Sequence, residues 1–389
     1  MQSLLKISQQ TLWQVLGKVV TSISTFIILG IVARNYGEDG TGVFTLALTY
    51  LAIFYLLSDF GFNAHVLRKG TAEWQKLLGT RLIWSCLLVV LAVGTLPFWP
   101  FATADFSKAV IFGSLAIVGS GIFVTCNLIF QSKLRYDLSV LASSIGTVIS
   151  LGLFILLSLQ KYPVSFLLLA HFFGWIVIAA AALFILKGGF PIFDKQYTIN
   201  LFKSSWPIAA TLALNVVYFR ADAFMIAYFK GTSDVGIYNV AYSVFQSALV
   251  LPTFIMNAYY PLMLKSLDKV KSIGLSLFGI SVVGTVFILF FAPDITNILT
   301  GGGFVGSSQS LQILSLGFPA YFLSALLMWI LVTRGKYKKM LLIYAFGLII
   351  NLFLNFLYIP QYSYTAASWI TVISEYLILG MQAVVLLFT

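Results

Sequence analysis

The sequence predicts an all-α integral membrane protein of about twelve transmembrane helices, in two parallel-related six-helix lobes with both termini cytoplasmic. Three observations carry this. Hydrophobic residues make up 60% of the 389-residue chain and charged ones only 9%, against about 45–50% and about 25% in soluble domains. Apolar runs long enough to cross a hydrocarbon core of about 30 Å recur from Thr11 to the end of the chain. A turn with the helix after it also recurs at an offset of 194 residues, half the length of the chain.

The runs lie near 11–33, 42–58, 83–103, 109–131, 139–159, 163–186, 205–229, 235–259, 272–292, 310–333, 340–359 and 364–388. The first lacks a small-residue cleavage site and is expected to be a retained helix rather than a removed signal peptide. The longest break, 59–80, is expected to be a surface hairpin, so the remaining chain holds no soluble domain. Basic residues orient the spans, because short cytoplasmic loops collect Lys and Arg. With the N-terminus inside, the cytoplasmic segments hold 17 of them, Arg81 included, and the external turns hold 4, Arg34, Lys108, Lys161 and Lys230. The formal charge of +11 is therefore mostly a topogenic signal with affinity for anionic lipid heads. Spread over separate loops, it does not form the single patch that nucleic-acid binding needs. Cys86 and Cys126, in the third and fourth runs, read as two buried thiols with neither disulfide nor metal spacing.

The repeat pairs IVARNYGEDGTGVFTLALTY (31–50) with MIAYFKGTSDVGIYNVAYSV (225–244). Ala33 falls on Ala227, Gly37 on Gly231, Gly42 on Gly236 and Ala47 on Ala241, with Phe44 on Tyr238. Six spans separate the copies, an even number, so both enter the membrane in the same sense. This predicts an N-terminal lobe of 1–194 and a C-terminal lobe of 195–389, related by an axis along the membrane normal, as in parallel-repeat transporters.

Ionisable residues inside a span are costly and normally face the bundle interior, which makes them candidates for function. In the first run Gln10, Gln14, Lys18, Ser22 and Thr25 share one helical face; Lys18 either lines that interior or snorkels to the headgroups. The seventh run holds Arg220 near its centre and Asp222 on a face with Thr211, Asn215 and Tyr218. Two residues apart, Arg220 and Asp222 point about 200° from one another and cannot both face one cavity from an undistorted helix. Either they pair with neighbouring helices, or Arg220 meets an anion while Asp222 orients polar neighbours or takes a coupling ion. In the last run Ser368, Thr371, Glu375 and Gln382 share a face, and Glu375 is either a salt-bridge partner or a proton or sodium site. Asn239 and Gln246 are further interior candidates, as are Asn127, Gln131 and Asn257, and His171 reads as a neutral histidine in an aromatic layer. Lys18 and Arg220 balance Asp222 and Glu375 in formal charge. No phosphate loop, metal-ligand cluster or catalytic constellation is present in the sequence, so neither a cofactor nor a metal is expected.

Together TLWQVLGKVV, IVARNYGEDGTGVFTLALTY, LLSDFGFNAHVLRKG, SSWPIAATLALNVVYFRADAFMIAYFKGTSDVGIYNVAYSV and GGGFVGSSQSLQILSLGFPAYFLSALLMWILVTRGK resemble polysaccharide-biosynthesis flippases of the O-antigen type. Those flippases belong to the multidrug/oligosaccharidyl-lipid/polysaccharide (MOP) exporter superfamily. The resemblance implies two six-helix lobes in a V, moving an undecaprenyl-diphosphate-linked oligosaccharide between leaflets of the cytoplasmic (inner) membrane, with no enzymatic step. Arg220 and Asp222 of YFRADAF match the charged positions of the family's seventh span, and Gly37, Gly42, Gly231 and Gly236 its two extracellular hairpins. Lys18 falls where relatives often carry a basic residue. The expected partners are the lipid-linked sugar, membrane lipids, H+ or Na+ as coupling ion, and other polysaccharide-assembly membrane proteins. The substrate contacts expected are Arg220, Lys18, Gln14, Asn215, Tyr218, Asn239 and Gln246, with Asp222 and Glu375 in ion coupling or charge balance. The alternatives are a cation-coupled drug antiporter of the same superfamily and a membrane glycosyltransferase or polymerase; the latter calls for an acid in a large external loop, and the external loops here are short.

Overall fold

The computed structural model describes residues 2–187, 189–263 and 266–388, apart from the side chains of 1–9, 11, 68, 69, 211, 214–218, 257, 258, 261 and 262. The described secondary structure is helical throughout. Among the described residues eight helices are long and apolar enough to cross a membrane, or nine if a pair bent by 43° is taken as one span. The gap from the expected twelve arises partly where two expected breaks shrink to a single non-helical residue, joining neighbouring spans into one helix. These are Gly37 within α1 (Gln2–Asp59) and Ser363 within α14 (Tyr337–Leu387). Large apolar side chains stand exposed along the helices, among them Phe184, Phe290 and Leu342. In water such a surface would aggregate; in lipid it is the ordinary solvent-facing side.

Two compact units divide the chain, Met1–Arg220 and Ala221–Thr389. In the first, α1 is followed by α2 (Phe62–Lys69), α3 (Trp74–Gly94), α4 (Ala104–Ser114), α5 (Ala116–Ser132), α6 (Tyr136–Leu159), α7 (Leu167–Ile185) and most of α8 (Lys195–Lys230). Small residues let α6 and α7 cross closely: Ser150 Oγ donates to the Ala170 carbonyl at 3.0 Å, and a Cβ on Gly146 would lie 2.7 Å from the Gly174 carbonyl oxygen. Apolar burial drives little helix association in lipid, so this contact relies on close packing and hydrogen bonds. The turn at Gly37 is fastened to the far end of α6. There Asn35 Nδ2 donates to Ser158 Oγ at 2.5 Å, and Tyr36 Oη to the Tyr162 carbonyl at 2.7 Å.

Three expectations are corrected here. The 59–80 break is not merely a surface hairpin: Phe62 and Val66 of α2 are buried with Leu77, Leu128 and Leu201 in one apolar cluster. Its amphipathic sequence, FNAHVLRK, hid that face behind two basic residues. Arg81, counted among the loop cations, lies in α3 with no exposed surface. Of the two thiols only Cys126 is buried; Cys86, in α3, is exposed.

The second unit begins with the last turns of α8 and continues through α9 (Thr232–Ala248), α10 (Val250–Met263), α11 (Val270–Thr300), α12 (Val305–Ser315), α13 (Phe318–Thr333) and α14. Hydroxyls pin its helices together. Ser307 Oγ donates to the Ile237 carbonyl at 2.7 Å, joining α12 to α9, and Thr285 Oγ1 donates to the Ser315 carbonyl at 2.8 Å, joining α11 to α12. Phe245 of α9 stacks on Phe318 of α13 with ring centroids 5.4 Å apart. At Ser363, with φ of 50°, α14 turns back on itself, three residues after Pro360. Ser363 Oγ donates to the Asp234 carboxylate at the start of α9, a bond that helps hold a backbone conformation unusual for a residue with a side chain.

Candidate functional site

The fold-back at Ser363 sets positions equally distant from it side by side. Asn355 and Thr371 lie eight residues before and after it, and Asn351 and Ser374 lie three or four residues further on. At 1.5 Å per residue the first pair stands about 12 Å from the turn, and Asp222 of α8 is inserted there. Its Oδ1 accepts from Asn355 Nδ2 at 2.8 Å; its Oδ2 accepts from the Tyr238 hydroxyl at 2.9 Å and the Thr371 hydroxyl at 3.1 Å. Asn355 Nδ2 also lies 2.9 Å from Asn351 Oδ1, and Asn351 Nδ2 donates to Ser374 Oγ at 3.2 Å. Asp222 is 5% exposed, and Asn355 and Ser374 are fully buried. A buried carboxylate held by three neutral donors, one from α9 and one from each arm of α14, is a costly arrangement that apolar packing can often replace without loss of stability. Asn355 Oδ1 is buried with no hydrogen-bond partner. That oxygen, the Asp222 carboxylate and the Thr371 and Tyr238 hydroxyls are buried oxygens of the kind hard cations take as ligands. Among the described residues no three His, Cys, Asp or Glu side chains come together.

A second polar cluster lies in the first unit and was not foreseen. The Arg81 guanidinium donates through Nη2 to Asp59 Oδ1 and Asn63 Oδ1, both at 3.0 Å, through Nη1 to Thr125 Oγ1 at 2.9 Å, and through Nε to the Ser58 carbonyl at 3.2 Å. It also sits over the Phe62 ring at 5.6 Å. These contacts tie α1, α2, α3 and α5 at one end of the unit. All three guanidinium nitrogens donate within the unit, which suits a structural lock more than a binding group.

The remaining candidates are placed as follows. Arg220 is half-buried, two residues before Asp222 and so on a different side of α8. Asn239 is buried in α9, and Gln246 half-buried one to two turns further on. Glu375 is 4% exposed, adjacent to Ser374 of the Asp222 network. Gln14 and Lys18 are exposed on α1. Gln10, from the same face, is buried, and its Oε1 accepts from the Tyr136 and Asp137 backbone N–H groups, so it caps the start of α6. The side chains of Asn215 and Tyr218 lie outside the described residues. Gly37 (φ 64°, ψ −165°) and Gly231 (φ 95°, ψ −175°) share a backbone region essentially confined to glycine, while Gly42 and Gly236 are buried in the helices that follow. His171 accepts at Nε2 from the Trp175 indole at 3.2 Å and lies 2.9 Å from the Tyr55 hydroxyl, within an aromatic layer as expected.

Comparison with known proteins agrees with this picture. Two curated relatives, both described as putative O-antigen transporters, are similar along most of their length. The one from Shigella dysenteriae is 24% identical over 86% of this chain and 86% of its own; the one from Shigella flexneri is 21% identical over 96% and 97%. Among solved structures, the lipid II flippase MurJ in an inward closed conformation superposes with a TM-score of 0.81 at 13% identity, covering 97% of this chain and 87% of that one. An inward-facing multidrug resistance MATE family transporter of the MOP superfamily gives 0.72 at 15% identity, covering 95% and 93%. The MatE family model matches residues 207–357, and the polysaccharide biosynthesis protein model matches 7–267, well over half of the chain. The chain is an integral membrane protein with a MOP-type fold, and it belongs to the polysaccharide biosynthesis protein family.

Proposed function

We propose that the chain is a flippase that carries an undecaprenyl-diphosphate-linked oligosaccharide, the repeat unit of an O-antigen or other surface polysaccharide, across the cytoplasmic membrane by alternating access. The observation that carries this reading is the combination of a polysaccharide-biosynthesis family match with a transporter fold whose charged and amide groups are buried within apolar helices. Similarity to relatives described as O-antigen transporters supports the substrate class. In this reading the twelve apolar runs are twelve spans, and 1–194 and 195–389 are two parallel lobes; the matching backbone at Gly37 and Gly231 supports the repeat. Arg220 and Lys18 meet the diphosphate, since phosphate oxygens take charge-assisted hydrogen bonds. Gln14, Asn215, Tyr218, Asn239 and Gln246 offer amide and hydroxyl contacts to sugar. The Asp222 cluster takes a coupling sodium ion or proton, and Glu375 balances charge beside it. Cells lacking the chain should accumulate the lipid-linked repeat unit on the cytoplasmic leaflet, where an externally added sugar-specific probe does not reach it. Equal access of that probe with and without the chain would count against the reading.

The MatE match and the buried Asp222 also favour a second reading, a cation-coupled exporter of organic cations. It expects Asp222→Asn to abolish organic-cation export from loaded proteoliposomes while Arg220→Ala leaves it intact.

A further inference from the structure

A groove of about 850 Å³ runs between the two arms of α14, lined by Leu342, Phe346 and Ile349 on one arm and Leu377, Met381 and Val385 on the other, with Lys339 at one end. We infer that this groove is a binding site for an anionic glycerophospholipid, with one acyl chain between the arms and the headgroup on Lys339. The site is separate from the Asp222 cluster and does not depend on the function proposed above.

Length, shape and charge argue for this occupant. From Lys339 to Ile349 the helix rises about 15 Å at 1.5 Å per residue, which is the depth of one leaflet of a hydrocarbon core about 30 Å thick. A diacyl lipid fills that depth; a polyprenyl chain is several times longer. The volume falls within the range of about 300–1,000 Å³ usual for small-molecule sites. Gly380 lines the groove without a side chain, and a Cβ there would meet nothing within 4 Å, so the groove is open at that point. Apolar walls alone give no preference in a bilayer, because lipid tails are as apolar as leucine. Selection therefore rests on the basic end, where Lys339 lines the groove and Lys336 and Lys338 stand beside it in sequence, the arrangement that attracts anionic headgroups.

The test is native mass spectrometry of the full chain in detergent, titrated with phosphatidylglycerol or phosphatidylcholine. Retained phosphatidylglycerol in preference to phosphatidylcholine is expected. Lys339→Gln should reduce that preference about fivefold, the worth of one lysine beside an anionic headgroup. Gly380→Trp should abolish retention by filling the groove into open space, with an unchanged size-exclusion profile showing that the fold survives. If Gly380→Trp does not elute as the intact chain does, Ala345→Leu, on the opposite wall, repeats the filling with a smaller side chain. Retention of phosphatidylglycerol undiminished by a folded groove-filling variant, loss of headgroup preference in neither variant, displacement of the lipid by a polyprenyl phosphate, or formation of a dimer lost on filling the groove would each overturn the proposal.

Discussion

At the residue scale Arg81 and Asp222 are both buried charges, and they act differently. Arg81 is surrounded by matched acceptors, with the Asp59 carboxylate among them. Removing one partner of such a pair leaves the other charge uncompensated, which costs about 3–5 kcal/mol. Arg81→Met should therefore lower the thermal midpoint of the purified protein markedly, and adding Asp59→Asn should restore part of the loss. Among the described residues the hydrogen-bond partners of Asp222 are neutral. Asp222→Ala should cost about 1–3 kcal/mol for each buried donor left unmet, whereas Asp222→Asn should keep the fold, as judged by the same melting experiment, yet abolish dependence of transport on an ion gradient. Asp222 was legible as a candidate because an acid in an apolar run is conspicuous. Its partners were not: Asn355 and Thr371 lie 133 and 149 residues away in sequence. Arg81 was misread because it stands at the end of an apolar run, close to Lys76, where a loop cation is the ordinary expectation.

At the element scale one glycine turn recurs at half the chain length, with a difference beside Asp222. The glycine turns at Gly37 and Gly231 share a backbone shape that side chains resist, and nothing lies within 4 Å of a Cβ at either position. Gly37→Ala and Gly231→Ala should therefore each destabilise by about 1–3 kcal/mol through backbone strain alone, measurable as a fall in melting temperature. At the same offset, however, Asp222 aligns with Ile28 and Tyr238 with Phe44, so the copy in the first half is apolar where the second is polar. The shared glycine turn was legible in the spacing of glycines and alanines. The fold-back was legible as well, as the break at 360–363 between the last two apolar runs; its narrowing to the single residue Ser363 was not, because Pro360 reads as an ordinary span end. The start of α8 shows a further element-scale device. Asp194 caps it, accepting from the Tyr197 N–H at 2.9 Å, and pairs with Lys76 of α3 at 3.1 Å. That N–H first, and the Lys76 ammonium next, hold its carboxyl below the usual carboxylate range. A depressed folded pKa contributes stability above the unfolded value of about 3.9, lost as pH falls through the folded one. Hydrogen exchange at Tyr197 and Ile192, corrected for intrinsic rate, should thus rise below about pH 4, and Asp194→Asn should raise it at pH 7.

For the whole molecule, composition settled the solvent and the class. A chain that is 60% hydrophobic and 9% charged has no surface fit for water, and its exposed phenylalanines and leucines bear that out. The helices follow from lipid as well, since a spanning segment has to satisfy its own backbone groups. Spare chemistry is confined to few positions, which is why so few residues carry the functional account. The central claim is movement of a lipid-diphosphate-linked oligosaccharide, and its direct test is transbilayer movement of that lipid in proteoliposomes, comparing the intact chain with Arg220→Ala. The account predicts movement by the intact chain that collapses in a folded Arg220→Ala variant; no movement of the lipid by the intact chain, alongside export of an organic cation, would contradict it.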